Sequence, residues 1–411
     1  MSNFDWPLND SHFTMWDRIR IAKFFLNPKN RWSQGELVKK YEQKWAAFVG
    51  SKYAVMTSSG STANTLMAMY VKDSLGGEFK KRNRVILPVV TWQTSVSPWI
   101  REGFRPVFVD INKDRLCMDV FKAHEKIKTK IEDNSDRVAC VFPTSLLGMN
   151  PDVSYLKQLQ EEFPEIKFMM DNCESSFGTY VAEDNRGLSM DVNISNLFTS
   201  STSMYFGHQT TTGSEGGMIF TNSQEEYEYF LMARNHGMVR GLEGYENTNP
   251  EKFYNKRVDP RFDFNLFGNN YRSSDIAAFI GLLDFEKIEK HKSKRRDLTE
   301  YFISVIGSNF FCPSPYDTLF ALPIIPLKRK NSPLRYQEIT LSKTKAYCKL
   351  HSIEYRPIIS GSLLKHTSYK NYRKGNYPNA NEIHKYGLYV GLYPNLSKQK
   401  IKNLVTFLNY L

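Results

Sequence analysis

A chain of 411 residues is long enough for a large domain with a smaller companion, and 41% hydrophobic with 24% charged residues is a globular balance. The net charge of +12 suits an anionic diphosphate ligand as well as nucleic acid, and the clusters Lys80-Lys81-Arg82 and Lys292-Ser293-Lys294-Arg295-Arg296 lack interleaved aromatics, so no nucleic-acid partner is expected. No apolar run nears the roughly 20 residues of a bilayer span, Met1 to Trp6 reads as no secretory leader, and Cys117, Cys140, Cys173, Cys312 and Cys348 fit no zinc or cluster spacing, so the expectation is a cytoplasmic protein with no membrane partner and no metal.

An N-terminal arm of about residues 1–33 precedes the first expected helix at about 34–48. Further helices are expected at about 62–74, 153–162 and 224–236. Between them lie short apolar runs that read as strands: 84–90, 106–111, 138–142, 166–170, 194–199 and 217–221. Such runs, apolar throughout rather than alternating, suit a mostly parallel sheet buried on both faces. The alternation of strand and helix is that of an α/β fold. Residues 240–265 form a polar, irregular break, after which Ser274 to about Lys290 reads as a capped helix. From about 296 onward helices and short strands mix.

Three local patterns carry possible chemistry. Ser59-Gly60-Ser61-Thr62-Ala63 closes a strand-like run and opens a helix, where backbone N–H groups favour a phosphate; plain helix capping is the competing reading. Asp171 ends a buried strand and either binds a ligand or caps the next helix. His208 lies in the loop Ser203 to Gly217, and an imidazole moves protons near pH 7 when it is not simply structural or exposed.

These patterns, with Ser51 to Met56, Asp171 to Ser175 and Gly268 to Arg272, resemble the DegT/DnrJ/EryC1/StrS sugar aminotransferases from about Pro7 to the C-terminus. The resemblance implies a fold-type I aminotransferase-like architecture dependent on pyridoxal phosphate (PLP). A large cofactor-binding domain of mostly parallel sheet spans residues 1–265, and a small α+β domain spans 266–411. It also implies roles. Gly60, Ser61, Thr62 and Ser203 receive the cofactor phosphate, Asp171 holds the pyridine nitrogen, Glu174 faces the ring hydroxyl and Trp92 stacks on the ring. Asn270 completes the phosphate site of a second copy in a homodimer with shared active sites, while His236, Arg240, Arg272 and Arg356 serve the substrate or the amino donor.

One departure decides the expected reaction. In the family a serine is followed five residues later by the Schiff-base lysine and then by Glu-Gly-Gly; here Ser203 is followed by His208, then by Glu215-Gly216-Gly217. The anchor is gone while an acid-base group stands in its place, which resembles the branch that removes a sugar hydroxyl instead of installing an amine. The expected activity is PLP/PMP-dependent 3-dehydration of a nucleotide-diphosphate-linked 4-keto-6-deoxy sugar, GDP-linked, with glutamate as donor and His208 as base. A 4-aminotransferase and a silent cofactor-binding relative are the alternatives. A count of six back from Glu215 lands on Gln209 instead, but glutamine has no useful acid-base capacity, so Gln209 is expected to be dispensable.

Overall fold

The computed structural model describes residues 4–10, 13–131, 137–183, 189–242, 262–328, 333 and 335–411. Among the described residues nine strands precede residue 222: β1 (Tyr53–Thr57), β2 (Arg84–Pro88), β3 (Arg105–Val109), β4 (Val138–Val141), β5 (Lys167–Asp171), β6 (Thr179–Glu183), β7 (Ser189–Asn193), β8 (Thr199–Ser203) and β9 (Gly217–Thr221). Seven of them form one sheet in the order β1-β9-β8-β5-β4-β2-β3. The run from β8 to β3 is parallel throughout; only β9 runs against its neighbours. Strands β6 and β7 pair separately as an antiparallel hairpin.

Covered on both faces, this sheet has almost no polar side to present, which is why β2 and β9 are buried along nearly their whole length. Three helices fix its flank. Helix α1 (Met15–Leu26) starts in a reciprocal Thr14–Asp17 cap, and its Phe24 ring stacks on Phe279 at 4.4 Å. Helix α2 (Glu36–Val49) buries Tyr41 and Trp45 against the ring of Phe285. Helix α3 (Gly60–Leu75) buries Ala63, Leu66, Met67, Tyr70 and Val71 on the sheet.

The helix expected from Ser274 divides into Asp275–Phe285 and Ile288–Val305, with Ser274 Oγ accepting from Ala277 N as its cap. A second sheet, β10 (Ala321–Ile324), β11 (Tyr355–Pro357) and β12 (Leu388–Gly391), is antiparallel in the order β10-β12-β11. Helices Ile288–Val305 and Lys398–Asn409 pack together nearby. Most of the polar break, residues 243–261, lies outside the described residues.

Two expectations fail locally. The strand expected at 194–199 is a short 3-10 turn at Ile194–Asn196, and the strand proper is Thr199–Ser203. Its sequence, Thr-Ser-Ser-Thr-Ser, is all hydroxyl, yet residues 200–203 are buried because the hydroxyls find partners. Ser200 Oγ donates to Ser195 O at 3.1 Å, Ser201 Oγ to Asn64 Oδ1 at 2.6 Å and Thr202 Oγ1 to Asn172 O at 3.3 Å. The helix expected to reach 236 stops at Ala233, and His236 takes a left-handed backbone with φ 63°.

Candidate active site

The strand directions put the chemistry on one edge. Strands β1, β8, β5 and β2 run the same way, so Thr57, Ser203, Asp171 and Pro88 all end there, and Gly217 opens β9 beside Thr57 and Ser203. The crevice beyond strand ends is where open α/β sheets bind ligands. Helix α3 starts at the same edge, capped by Ser59 and Thr62 in a reciprocal pair.

That cap consumes the Thr62 amide and leaves those of Gly60 and Ser61 as the helix's free first donors. Only glycine fits at two positions of this turn. A Cβ at Gly60 would stand 2.7 Å from Cys173 Sγ and 2.8 Å from Ser203 Cβ, and one at Gly217 would run into the Ser59–Gly60 backbone. Ser203 is buried, its Oγ accepting from Tyr205 N at 3.3 Å.

Asp171 forms the floor. Its Oδ2 accepts from Asn64 Nδ2 at 2.8 Å and from Ser95 Oγ at 2.7 Å, and its Oδ1 accepts from Cys173 N at 3.0 Å. A second layer holds these donors: Thr91 Oγ1 donates to Ser95 Oγ at 2.9 Å and Ser201 Oγ to Asn64 Oδ1 at 2.6 Å. A buried carboxylate so supplied with donors is suited to holding a protonated ring nitrogen. Sequence reasoning misses Asn64, Ser95 and Ser201. Only the i, i+4 spacing of Gly60 and Asn64, which puts them on one face of α3, could have pointed to one of them.

Glu174 is partly buried beside this floor, its Oε2 accepting from Leu147 N at 2.8 Å. Burial pushes its carboxyl up to about 8, and the charge of Asp171 adds to the effect. Leu147 has the left-handed φ of 53°, and its carbonyl accepts from Phe320 N at 2.8 Å. Trp92, at the head of the turn after β2, is 57% exposed, so it is not packed in the core and its face is free for a ring.

His208 stands opposite. Its imidazole is edge-on to Tyr205 and Phe320, with ring centroids 5.7 and 5.4 Å apart, and its Nδ1 is sealed from solvent without a hydrogen-bond partner. Burial holds the ring down to about 4, against the opposing pull of the Cys173 backbone and of Asp171. At pH 7 it is therefore neutral, the form of a base.

Gln209 has a structural part that its lack of acid-base capacity does not announce. It is buried, its Oε1 accepting from Phe177 N at 3.1 Å and its Nε2 donating to Thr318 O at 2.9 Å. Its amide faces the protein interior, and leaving two buried backbone groups unpaired would cost stability.

The remaining residues form outer groups. Arg272 donates from Nε to Asn270 Oδ1 at 3.0 Å and lies 3.3 Å from His236 Nε2, beside the end of β1 through the Thr57–Arg272 bridge. Asn270 is exposed. Arg240 lies on the surface with its guanidinium 5.8 Å over the Phe262 ring, and Arg356, also exposed, pairs with Glu354 at 2.9 Å. Among the described residues no cluster of three or more His, Cys, Asp or Glu side chains is placed to hold a metal, and no helix is long and apolar enough to cross a membrane.

A phosphorylated pyridine fits these residues: the first amides of a helix at Gly60 and Ser61, a carboxylate at Asp171, an exposed indole at Trp92 and an imidazole at His208 whose Nδ1 has no partner. Comparison with known proteins agrees. The model of the DegT/DnrJ/EryC1/StrS aminotransferase family matches residues 25–409. GDP-4-keto-6-deoxy-D-mannose 3-dehydratase of Yersinia pseudotuberculosis is 30% identical over 390 residues, which is 92% of each chain. The structure of the E. coli GDP-4-keto-6-deoxy-D-mannose-3-dehydratase with bound hydrated PLP superimposes with a TM-score of 0.80 at 27% identity, covering 98% of this chain and 99% of that one. A GDP-4-keto-6-deoxymannose-3-dehydratase with a trapped PLP-glutamate geminal diamine gives 0.81 at 27% identity, covering 98% and 100%.

Proposed function

The chain belongs to the DegT/DnrJ/EryC1/StrS aminotransferase family, and we propose that it is a PLP/PMP-dependent sugar 3-dehydratase. Its substrate is a GDP-linked 4-keto-6-deoxy sugar, its amino donor glutamate, and its products a 4-keto-3,6-dideoxy sugar and ammonia. The observation that carries this is His208, an imidazole on the Asp171 edge whose sealed Nδ1 has no partner, five residues after Ser203 as the family's lysine would be, while neighbouring Gln209 is tied into the interior.

When bound, the cofactor supplies an amine for the 4-keto group and a ring that takes up electrons. The amides of Gly60 and Ser61, with the Ser203 hydroxyl, receive its phosphate, and Thr62 holds that turn in shape through its cap. Asp171 keeps the pyridine nitrogen protonated. Trp92 covers one ring face, and Glu174, protonated at neutral pH, hydrogen-bonds the ring hydroxyl. His208, neutral at pH 7, takes a proton from the cofactor's methylene carbon and returns it to the C3 hydroxyl as that group departs. Without a lysine nothing recaptures the cofactor covalently, and the proton goes to the leaving group instead of to sugar carbon 4.

The active form is a cytoplasmic homodimer. Met15, Trp16, Leu26, Phe262 and Phe264 are exposed on the single chain, and Phe267 is 98% exposed, large apolar side chains of the kind a second copy would cover. Asn270, three residues beyond Phe267, reaches the partner's phosphate site. His236, Arg272, Arg240 and Arg356 supply cationic or polar groups for the diphosphate and the donor carboxylates.

The test is product analysis with PLP, glutamate and GDP-4-keto-6-deoxymannose. One free ammonia per sugar consumed, with a sugar lighter by one oxygen, is expected. A sugar retaining the amine, with no ammonia, would make the protein a 4-aminotransferase. In parallel, borohydride reduction should leave the peptide 203–217 unlabelled.

A further inference from the structure

Resting on His208 as base, we propose that Gln209 is its positioning residue, the side chain whose amide fixes the imidazole against the Asp171 edge. The two neighbours in sequence do opposite jobs. The imidazole of His208 sits against Phe320 and beside the Cys173 backbone. The amide of Gln209 bridges two segments far apart in the chain: it accepts from Phe177 N, six residues past Asp171, and donates to Thr318 O, two residues before Phe320.

The bridge thus ties the loop carrying the base both to the chain leaving the floor and to the segment that walls the base in. That segment is pinned at every residue. Leu319 N donates to Thr299 Oγ1 at 3.2 Å, Phe320 N to Leu147 O at 2.8 Å, and Arg295 Nη1 to Phe320 O at 3.1 Å. Gly148 crosses so close beneath it that a Cβ there would stand 2.8 Å from Leu319 Cα. The wall is therefore rigid, and Gln209 is the side-chain link that sets the His208 loop against it.

The His208 ring has no partner at Nδ1, and its other contacts are with the backbone of Cys173 and Ser203 and the rings of Tyr205 and Phe320, so its placement against them follows the loop that carries it. A base displaced by about 1 Å can lose on the order of 100-fold in rate. The bridge needs one acceptor and one donor at glutamine's reach, an inventory that a protonated glutamate reproduces and an ionised one does not.

The experiment compares Gln209→Glu, Gln209→Leu and His208→Asn in the full chain with PLP, glutamate and GDP-4-keto-6-deoxymannose. Histidine titration by NMR on isotope-labelled, cofactor-free protein accompanies it. Relative to the unsubstituted protein, Gln209→Glu is expected to keep kcat within about 3-fold at pH 6 and to fall about 30- to 100-fold towards pH 9, with KM unchanged. Gln209→Leu is expected to lose about 100-fold at every pH, and its His208 resonance to titrate closer to an ordinary histidine as water reaches the ring. A lowered melting temperature alone, with kcat and the His208 titration unmoved, would show Gln209 to be purely structural and overturn the proposal. If the leucine variant fails to fold, Gln209→Glu decides: a ratio flat from pH 6 to 9 overturns it as well. Failure of the underlying reading looks different, because His208→Asn would then retain dehydration whatever Gln209 does.

Discussion

The floor of the site and the wall facing it are built on opposite rules. On the floor, Asp171 accepts from Asn64, Ser95 and the Cys173 amide, and the donors are themselves held by Thr91 and Ser201. On the wall, the His208 ring is pressed between Tyr205 and Phe320 with Nδ1 unpaired, and the hydrogen bonding passes to the residue next to it. The carboxylate meant to hold a ring nitrogen is saturated with donors, whereas the group that must take up and release a proton keeps one ring nitrogen unpaired.

The comparison breaks most visibly at Asn64. Asn64→Leu takes a donor from Asp171 and strands the Ser201 hydroxyl and Thr94 carbonyl in the interior. Each buried group left unpaired costs about 1–3 kcal/mol, so a drop in melting temperature of several degrees and at least about 10-fold weaker PLP binding are expected. Unchanged melting and unchanged PLP titration would mean that the floor does not depend on its donors.

Glu174 sharpens the contrast with a smaller effect. Its folded pKa of about 8 lies above the ordinary 4.5, so the folded chain keeps a proton that the unfolded chain releases. The associated stability is fully present below about pH 4.5 and is lost as pH rises through about 8. Glu174→Gln keeps the acceptor for Leu147 N and cannot ionise. Melting of the cofactor-free variant should match the parent at pH 5 and exceed it by a few degrees at pH 8.5. Equal melting at both would place Glu174 in water.

The same division governs how much of the molecule is legible in its sequence. Apolar strands such as Arg84–Pro88 and Gly217–Thr221 announce themselves, because burial on both faces demands apolar runs. Strand Thr199–Ser203 does not, since its burial rests on hydroxyl partners that come from distant residues. Gly60, Asp171 and His208 are readable from local motifs. Asn64 and Ser95 have no motif, as their function exists only where α3, the turn after β2 and the end of β5 converge. Gln209 misleads for a physical reason: glutamine cannot transfer protons, but its contribution is one donor and one acceptor to backbone, the donor reaching a carbonyl 109 residues away.

Everything in the proposed reaction turns on His208 carrying the proton, and the most direct measurement is turnover of His208→Ala with imidazole added back. Loss of the side chain should lower dehydration about 100- to 10,000-fold while PLP binding stays within a few fold of the parent. Added imidazole should then restore ammonia release in a saturable, concentration-dependent way. Dehydration at the parent rate in His208→Ala without imidazole would contradict this role, because the proton would then travel through another group.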